Sequence, residues 1–86
     1  MTIEDVPIDQ IRRPLYSVND AEKVRSLMRS IQSVGLQEPI DLLKVDGQYY
    51  GFSGCHRYEA CKRLGHATIK ARIRNAPRSV LEKHLA

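Results

Sequence analysis

One stretch of this sequence concentrates side chains that could do chemistry: Phe52-Ser53-Gly54-Cys55-His56-Arg57. It joins a run with strand character to a run with helix character, so Cys55 is expected at a helix N-terminus. There the first main-chain N–H groups lack intrahelical acceptors and the helix dipole favours negative charge. Both effects favour the thiolate of a cysteine, and the neighbouring His56 and Arg57 can push the same way. The same N–H groups form a ready cradle for phosphate, and Gly54 permits a tight turn or a close approach to the backbone. A nucleophilic sulfur and an anion site would then coincide. Free cysteine also packs as a small hydrophobe, so the residues alone leave both readings of Cys55 open.

Upstream, Lys23, Ser26 and Ser30 fall at i, i+3 and i+7. One ammonium and two hydroxyls on successive helical turns can line a ribose and its phosphates; taken alone, the stripe reads as a solvated helix face. No Walker-type loop is present, so any nucleotide is held another way. Cys55, Cys61 and His66 do not have zinc-site spacing, and no metal site is expected. On one continuous helix, Cys55 and Cys61 are separated by a rise of about 9 Å, beyond the roughly 7 Å span of a disulfide. Cys61 is therefore expected to pack, not to resolve a disulfide. Glu59 and Arg63 form a stabilising i, i+4 pair, and His66 and His84 are expected at the surface.

These side chains need elements to hold them. Ile3 to Ile11 reads as a short edge strand and a turn around Pro7. Val24, Leu27, Met28 and Ile31 form one apolar stripe of a helix that starts at Asn19 or Asp20 and stops at Gly35. Asn19 and Glu22 have capping-box spacing. Asp46-Gly47 between Ile40–Val45 and Gln48–Phe52 predicts a hairpin. A second helix spans Cys55 to Leu64 and ends at Gly65. Thr68 to Ile73 is a half-buried strand, and Arg78 to Leu85, led by Pro77, is a terminal helix. The expected order is β-α-β-β-α-β-α, a small mixed-sheet α/β domain covering residues 1–86.

The chain has 86 residues, 42% hydrophobic and 28% charged, which excludes a disordered or collagen-like chain. No apolar run is long enough for a transmembrane span or a signal peptide. Fourteen basic residues against ten acidic give +4, a modest surplus suited to an anionic ligand but not a demand for nucleic acid. Two cysteines and no signal peptide argue against a disulfide-stapled secreted fold and for a reduced, cytoplasmic protein.

The run Phe52 to Ala60 resembles the active-site signature of the sulfiredoxins, and so does Arg13-Pro14-Leu15 followed by Ser17-Val18, Asp20, Lys23, Ser26 and Leu27. The resemblance spans nearly the whole chain in matching order. It implies ATP-dependent reduction of cysteine sulfinic acid in hyperoxidised 2-Cys peroxiredoxins. It also implies a single sulfiredoxin-like catalytic domain over 1–86, with Cys55 catalytic and Arg13 held against its thiolate. Lys23, Ser26, Ser30, Gly54, His56 and Arg57 would bind ATP, with Mg²⁺ carried on the phosphates, and Asp20 would cap the first helix. Ser53 stands where many members have glycine, and Ser30 where some have threonine. The implied route runs through a sulfinic phosphoryl ester and a thiosulfinate with Cys55, which an external thiol such as thioredoxin or glutathione resolves.

Gly54-x-x-Arg57-Tyr58-x-Ala60 is also similar to the N-terminal domain of ParB-type partition proteins, which bind nucleotide and work with DNA. There glutamate typically occupies the position of Cys55. These 86 residues contain no helix-turn-helix region, so a nucleotide-dependent DNA-binding module is the lesser expectation.

Overall fold

The computed structural model describes residues 1–15 and 17–86. It contains β1 (Thr2–Pro7), a 3-10 turn (Ile8–Gln10), β2 (Ile11–Arg12), α1 (Ala21–Val34), β3 (Ile40–Val45), β4 (Gln48–Gly51), α2 (Cys55–Arg63), β5 (Thr68–Asn75) and α3 (Arg78–Leu85). The expected order is present with one addition, β2. Its two residues pair in parallel with Tyr49 and Tyr50 of β4, a long-range partner that no local pattern in so short a segment announces.

The strands form one mixed sheet in the order β1-β5-β3-β4-β2. β1 is an edge strand, antiparallel to β5. β5 runs parallel to β3, and β3 antiparallel to β4. The β3–β4 turn has positive φ at both Asp46 (50°) and Gly47 (75°). That is the mark of a type I′ turn, whose twist matches that of the flanking strands.

β3 is interior to the sheet and buries side chains on both faces. Ile40 and Leu42 pack with Val24 and Ile31 of α1 and with Ala60 and Cys61 of α2. Leu43 and Val45 face the other way, against Leu81 of α3. Each such side chain contributes about 1.5–3 kcal/mol on leaving water. The predicted stripe of α1 is this inner face, with Leu27 and Met28 at its margin.

Of the two N-cap candidates for α1, Asp20 takes the position: its Oδ1 accepts from Glu22 N at 2.9 Å and Lys23 N at 3.1 Å. Asn19 lies one residue outside the helix and bonds elsewhere. β4 stops one residue short of the expected strand end. Phe52 instead stacks on His84 of α3, with ring centroids 4.6 Å apart. His84 is exposed, as expected, and still helps to seat its helix.

Candidate active site

Cys55 stands at the first position of α2, half-buried, with Gly54 as the preceding N-cap at φ 68°. Glycine is required there twice over. The left-handed backbone disfavours any side chain, and a Cβ would fall 2.7 Å from Ile40 Cγ2 and 3.1 Å from Ile40 Cβ. The first intrahelical bond is Tyr58 N to Gly54 O, at 2.8 Å. The N–H groups of Cys55, His56 and Arg57 therefore precede the helical ladder and are available to an acceptor.

Arg13 reaches this end of α2 because β2 pairs with β4. Its Nη1 donates to the Ser53 carbonyl at 2.7 Å, and its guanidinium sits 5.2 Å from the centroid of the Tyr58 ring. It crosses over Gly51, where any Cβ would overlap the guanidinium. Burial pushes the Arg13 pKa down, opposed by attraction to Cys55 and then to Tyr58. A guanidinium stays charged in proteins all the same, so a fixed cation lies beside the thiol.

The entrance of α1 holds the same turn from the other side. Asp20 N donates to His56 Nε2 at 3.0 Å, and His56 Nδ1 lies 3.6 Å from Cys55 Sγ. Asn19 Nδ2 donates to the Cys55 carbonyl at 3.2 Å and to Glu59 Oε1 at 2.8 Å. Glu59 also keeps its expected pairing with Arg63, at 3.4 Å. The Asp20 carboxyl is held below the usual carboxylate range, first by the N–H of Lys23 and then by that of Glu22. Arg57 is held by the connection before β3: its Nη1 donates to the carbonyls of Glu38 (3.1 Å) and Pro39 (2.8 Å).

Of the residues singled out in the sequence, Cys55, Arg13, Gly54 and His56 thus converge directly. Arg57 anchors the α1–β3 connection behind them. Lys23, Ser26 and Ser30 are exposed along α1; Lys23 lies at the near end beside Asp20, and Ser30 is about 10 Å further along the axis. Cys55 itself lines a groove of about 380 Å³ whose walls include Arg13, Leu15, Asn19, Tyr58 and Lys62. Cys61 is 1% exposed, and burial pushes its thiol pKa up, so it packs as expected. Among the described residues, no cluster of three or more His, Cys, Asp or Glu side chains could hold a metal. None of their helices is long and apolar enough to cross a membrane.

Two contributors escaped the sequence reading. Gly51 carried a signal, since glycine inside a strand often marks a close approach. Asn19 carried none beyond its capping-box spacing, because its partners lie on another helix.

Residues 1–85 match the ParB N-terminal domain family. Sulfiredoxin of Arabidopsis thaliana, described as chloroplastic/mitochondrial, is 53% identical over 85 residues, covering 96% of this chain and 68% of its own length. A crystal structure of sulfiredoxin from Arabidopsis thaliana superposes with a TM-score of 0.97 at 51% identity, over 100% of this chain and 99% of that one. The C-terminally truncated chromosome-partitioning protein ParB from Caulobacter crescentus, complexed with CTP-γ-S, is a more distant likeness. Its TM-score is 0.73 at 25% identity, over 99% of this chain and 51% of that one.

Proposed function

The chain belongs to the sulfiredoxin family, which reduces cysteine sulfinic acid in hyperoxidised peroxiredoxins, and we propose that residues 1–86 do so as one catalytic domain with Cys55 as nucleophile. The observation that carries this assignment is the placement of Cys55. Its half-buried sulfur sits at the start of α2 beside the Arg13 guanidinium and opens onto a groove. The cation and the helix N-terminus both favour a thiolate, and the groove gives a substrate sulfur a line of approach.

A sulfinate is a poor electrophile, because its sulfur carries anionic oxygens that a thiolate does not displace. ATP, when bound, supplies the phosphoryl group that turns one of those oxygens into a leaving group. The donor set fits such a ligand. The main-chain N–H groups of Cys55, His56 and Arg57 precede the first helical bond, Gly54 seats this turn against Ile40, and Lys23, Ser26 and Ser30 offer an ammonium and two hydroxyls along α1. His56 takes part through its main-chain N–H, and Arg57 adds fixed positive charge behind it. Mg²⁺ would be carried by the phosphates, without a cage of protein ligands.

Cys55 then attacks the activated sulfur, forming a sulfur–sulfur bond as phosphate leaves. An external thiol breaks the resulting thiosulfinate, releasing the peroxiredoxin sulfenic acid and leaving Cys55 in a disulfide that a second thiol reduces. Burial of Cys61 supports an external donor, such as thioredoxin or glutathione. The two free cysteines support a reducing compartment, and we place the protein in the cytoplasm. The partition-protein likeness extends to the fold, and a DNA-binding role leaves the Arg13–Cys55 pairing without a task.

The test mixes the protein with sulfinylated 2-Cys peroxiredoxin, Mg-ATP and a thiol and follows the peroxiredoxin mass. Stepwise loss of the sulfinic oxygens is expected, dependent on ATP, and Cys55→Ser should reduce it to background because an un-ionised hydroxyl cannot replace the thiolate. An unchanged mass with folded protein and bound ATP, or repair by the serine variant, would refute the assignment.

A further inference from the structure

His56 is engaged on both ring nitrogens. Nε2 accepts the main-chain N–H of Asp20 at 3.0 Å, and Nδ1 faces Cys55 Sγ at 3.6 Å. A ring nitrogen that accepts a hydrogen bond carries no proton of its own, so a neutral imidazole bonded this way keeps its single proton on the other nitrogen. The donor here is a peptide N–H, which cannot reverse its role as a hydroxyl or a carboxyl can. It is free for the task because Asp20 is the N-cap of α1 and its N–H lies outside the helical ladder. One residue therefore serves two helices: its carboxylate closes the first turn of α1, and its main chain reaches the first turn of α2.

We propose that the Asp20 main chain holds His56 as the Nδ1–H tautomer and that His56 donates this hydrogen to Cys55 Sγ. This rests on the reading of Cys55 as the nucleophile and gives the His56 side chain a role distinct from the phosphate contact of its main-chain N–H. Arg13 supplies a charge near the sulfur, and His56 a directed hydrogen bond to it. A hydrogen bond to an anionic sulfur is charge-assisted and favours the thiolate. It weakens as the sulfur spends its charge in forming the new bond, so no proton has to move in the attack.

Two measurements on the full chain, made without ATP or peroxiredoxin, test this independently of the repair assay. In ¹⁵N-histidine-labelled protein, the His56 Nδ1 resonance is expected in the protonated range and Nε2 in the unprotonated range. A proton found on Nε2 overturns the proposal. Alkylation of Cys55 by iodoacetamide at neutral pH then separates the two ends of the ring. His56→Gln places its amide near the Nε2 position and loses the donor to sulfur; His56→Asn places an amide N–H near the Nδ1 position and keeps it. The glutamine variant should react about fivefold to tenfold more slowly than wild type, and the asparagine variant several times faster than the glutamine variant. Equal rates for the two variants overturn the proposal, whether both match wild type or both fall. Far-ultraviolet circular dichroism of each variant checks the fold, and the resonance assignment decides the matter if either variant fails to fold.

Discussion

Gly51 has no chemistry of its own, yet the cation beside Cys55 depends on it. Its missing Cβ is the space that the Arg13 guanidinium crosses to reach the Ser53 carbonyl. In Gly51→Ala the nearest obstacle is the end of a long side chain, so the guanidinium is what yields. Leu42 Cδ2, 3.1 Å from the added carbon, must also shift slightly. The variant should alkylate Cys55 severalfold more slowly at neutral pH, with a stability loss of about 1 kcal/mol. Urea denaturation and iodoacetamide kinetics on one preparation would check both, and an unchanged alkylation rate would show that Arg13 does not act on the thiol. Cys61 makes the contrast within one helix: it is buried in the core, and burial alone pushes its thiol pKa up.

At the scale of elements, the site is a junction of two helix starts, each made by a different device. α2 begins on a glycine with left-handed backbone packed against Ile40, a β-branched residue in an interior strand that cannot easily give way. Gly54→Ala should therefore cost about 2–4 kcal/mol, combining backbone strain with overpacking, and lower the urea midpoint well beyond what Gly51→Ala does. α1 begins on a carboxylate cap instead. Asp20 is held below the usual carboxylate range by the N–H groups of Lys23 and Glu22, so its cap is complete at neutral pH and is lost as pH falls through that lowered value. Asp20→Ala should reduce the urea midpoint at neutral pH, and its deficit against wild type should narrow in acid. A deficit that stays constant from neutral pH into acid would show that the carboxylate charge is not what caps α1.

Across the whole molecule the sheet separates two jobs. One face carries α1, α2 and the larger core, with Cys55 at its margin; the other carries α3 on the smaller cluster of Leu43, Val45 and Leu81. Damage to the second face should weaken the fold without reaching the thiol. Leu81→Ala should cost about 2–4 kcal/mol, a large share of the margin of so small a domain. Its Cys55 alkylation rate should still match wild type at temperatures where the variant is folded. A slowed rate in fully folded Leu81→Ala protein would mean that α3 helps to position the site.

What the sequence determined by itself is what short-range chemistry decides. The limits of α1 and α3, the Asp46-Gly47 turn and the glycine before Cys55 were legible because caps, turns and periodic stripes involve residues within a few positions of each other. The run from Phe52 to Ala60 that carries the family resemblance was legible for the same reason, being contiguous. The tertiary structure decided which distant groups share that run's surroundings. The pairing of β2 with β4 brings Arg13 across Gly51, and the packing of α1 on α2 brings Asn19 to the Cys55 carbonyl and Asp20 to His56. It also decided between Asn19 and Asp20 as the cap, since Asn19 spends its amide on α2. Those outcomes depend on which faces meet when apolar surface is buried, and no local pattern encodes that meeting.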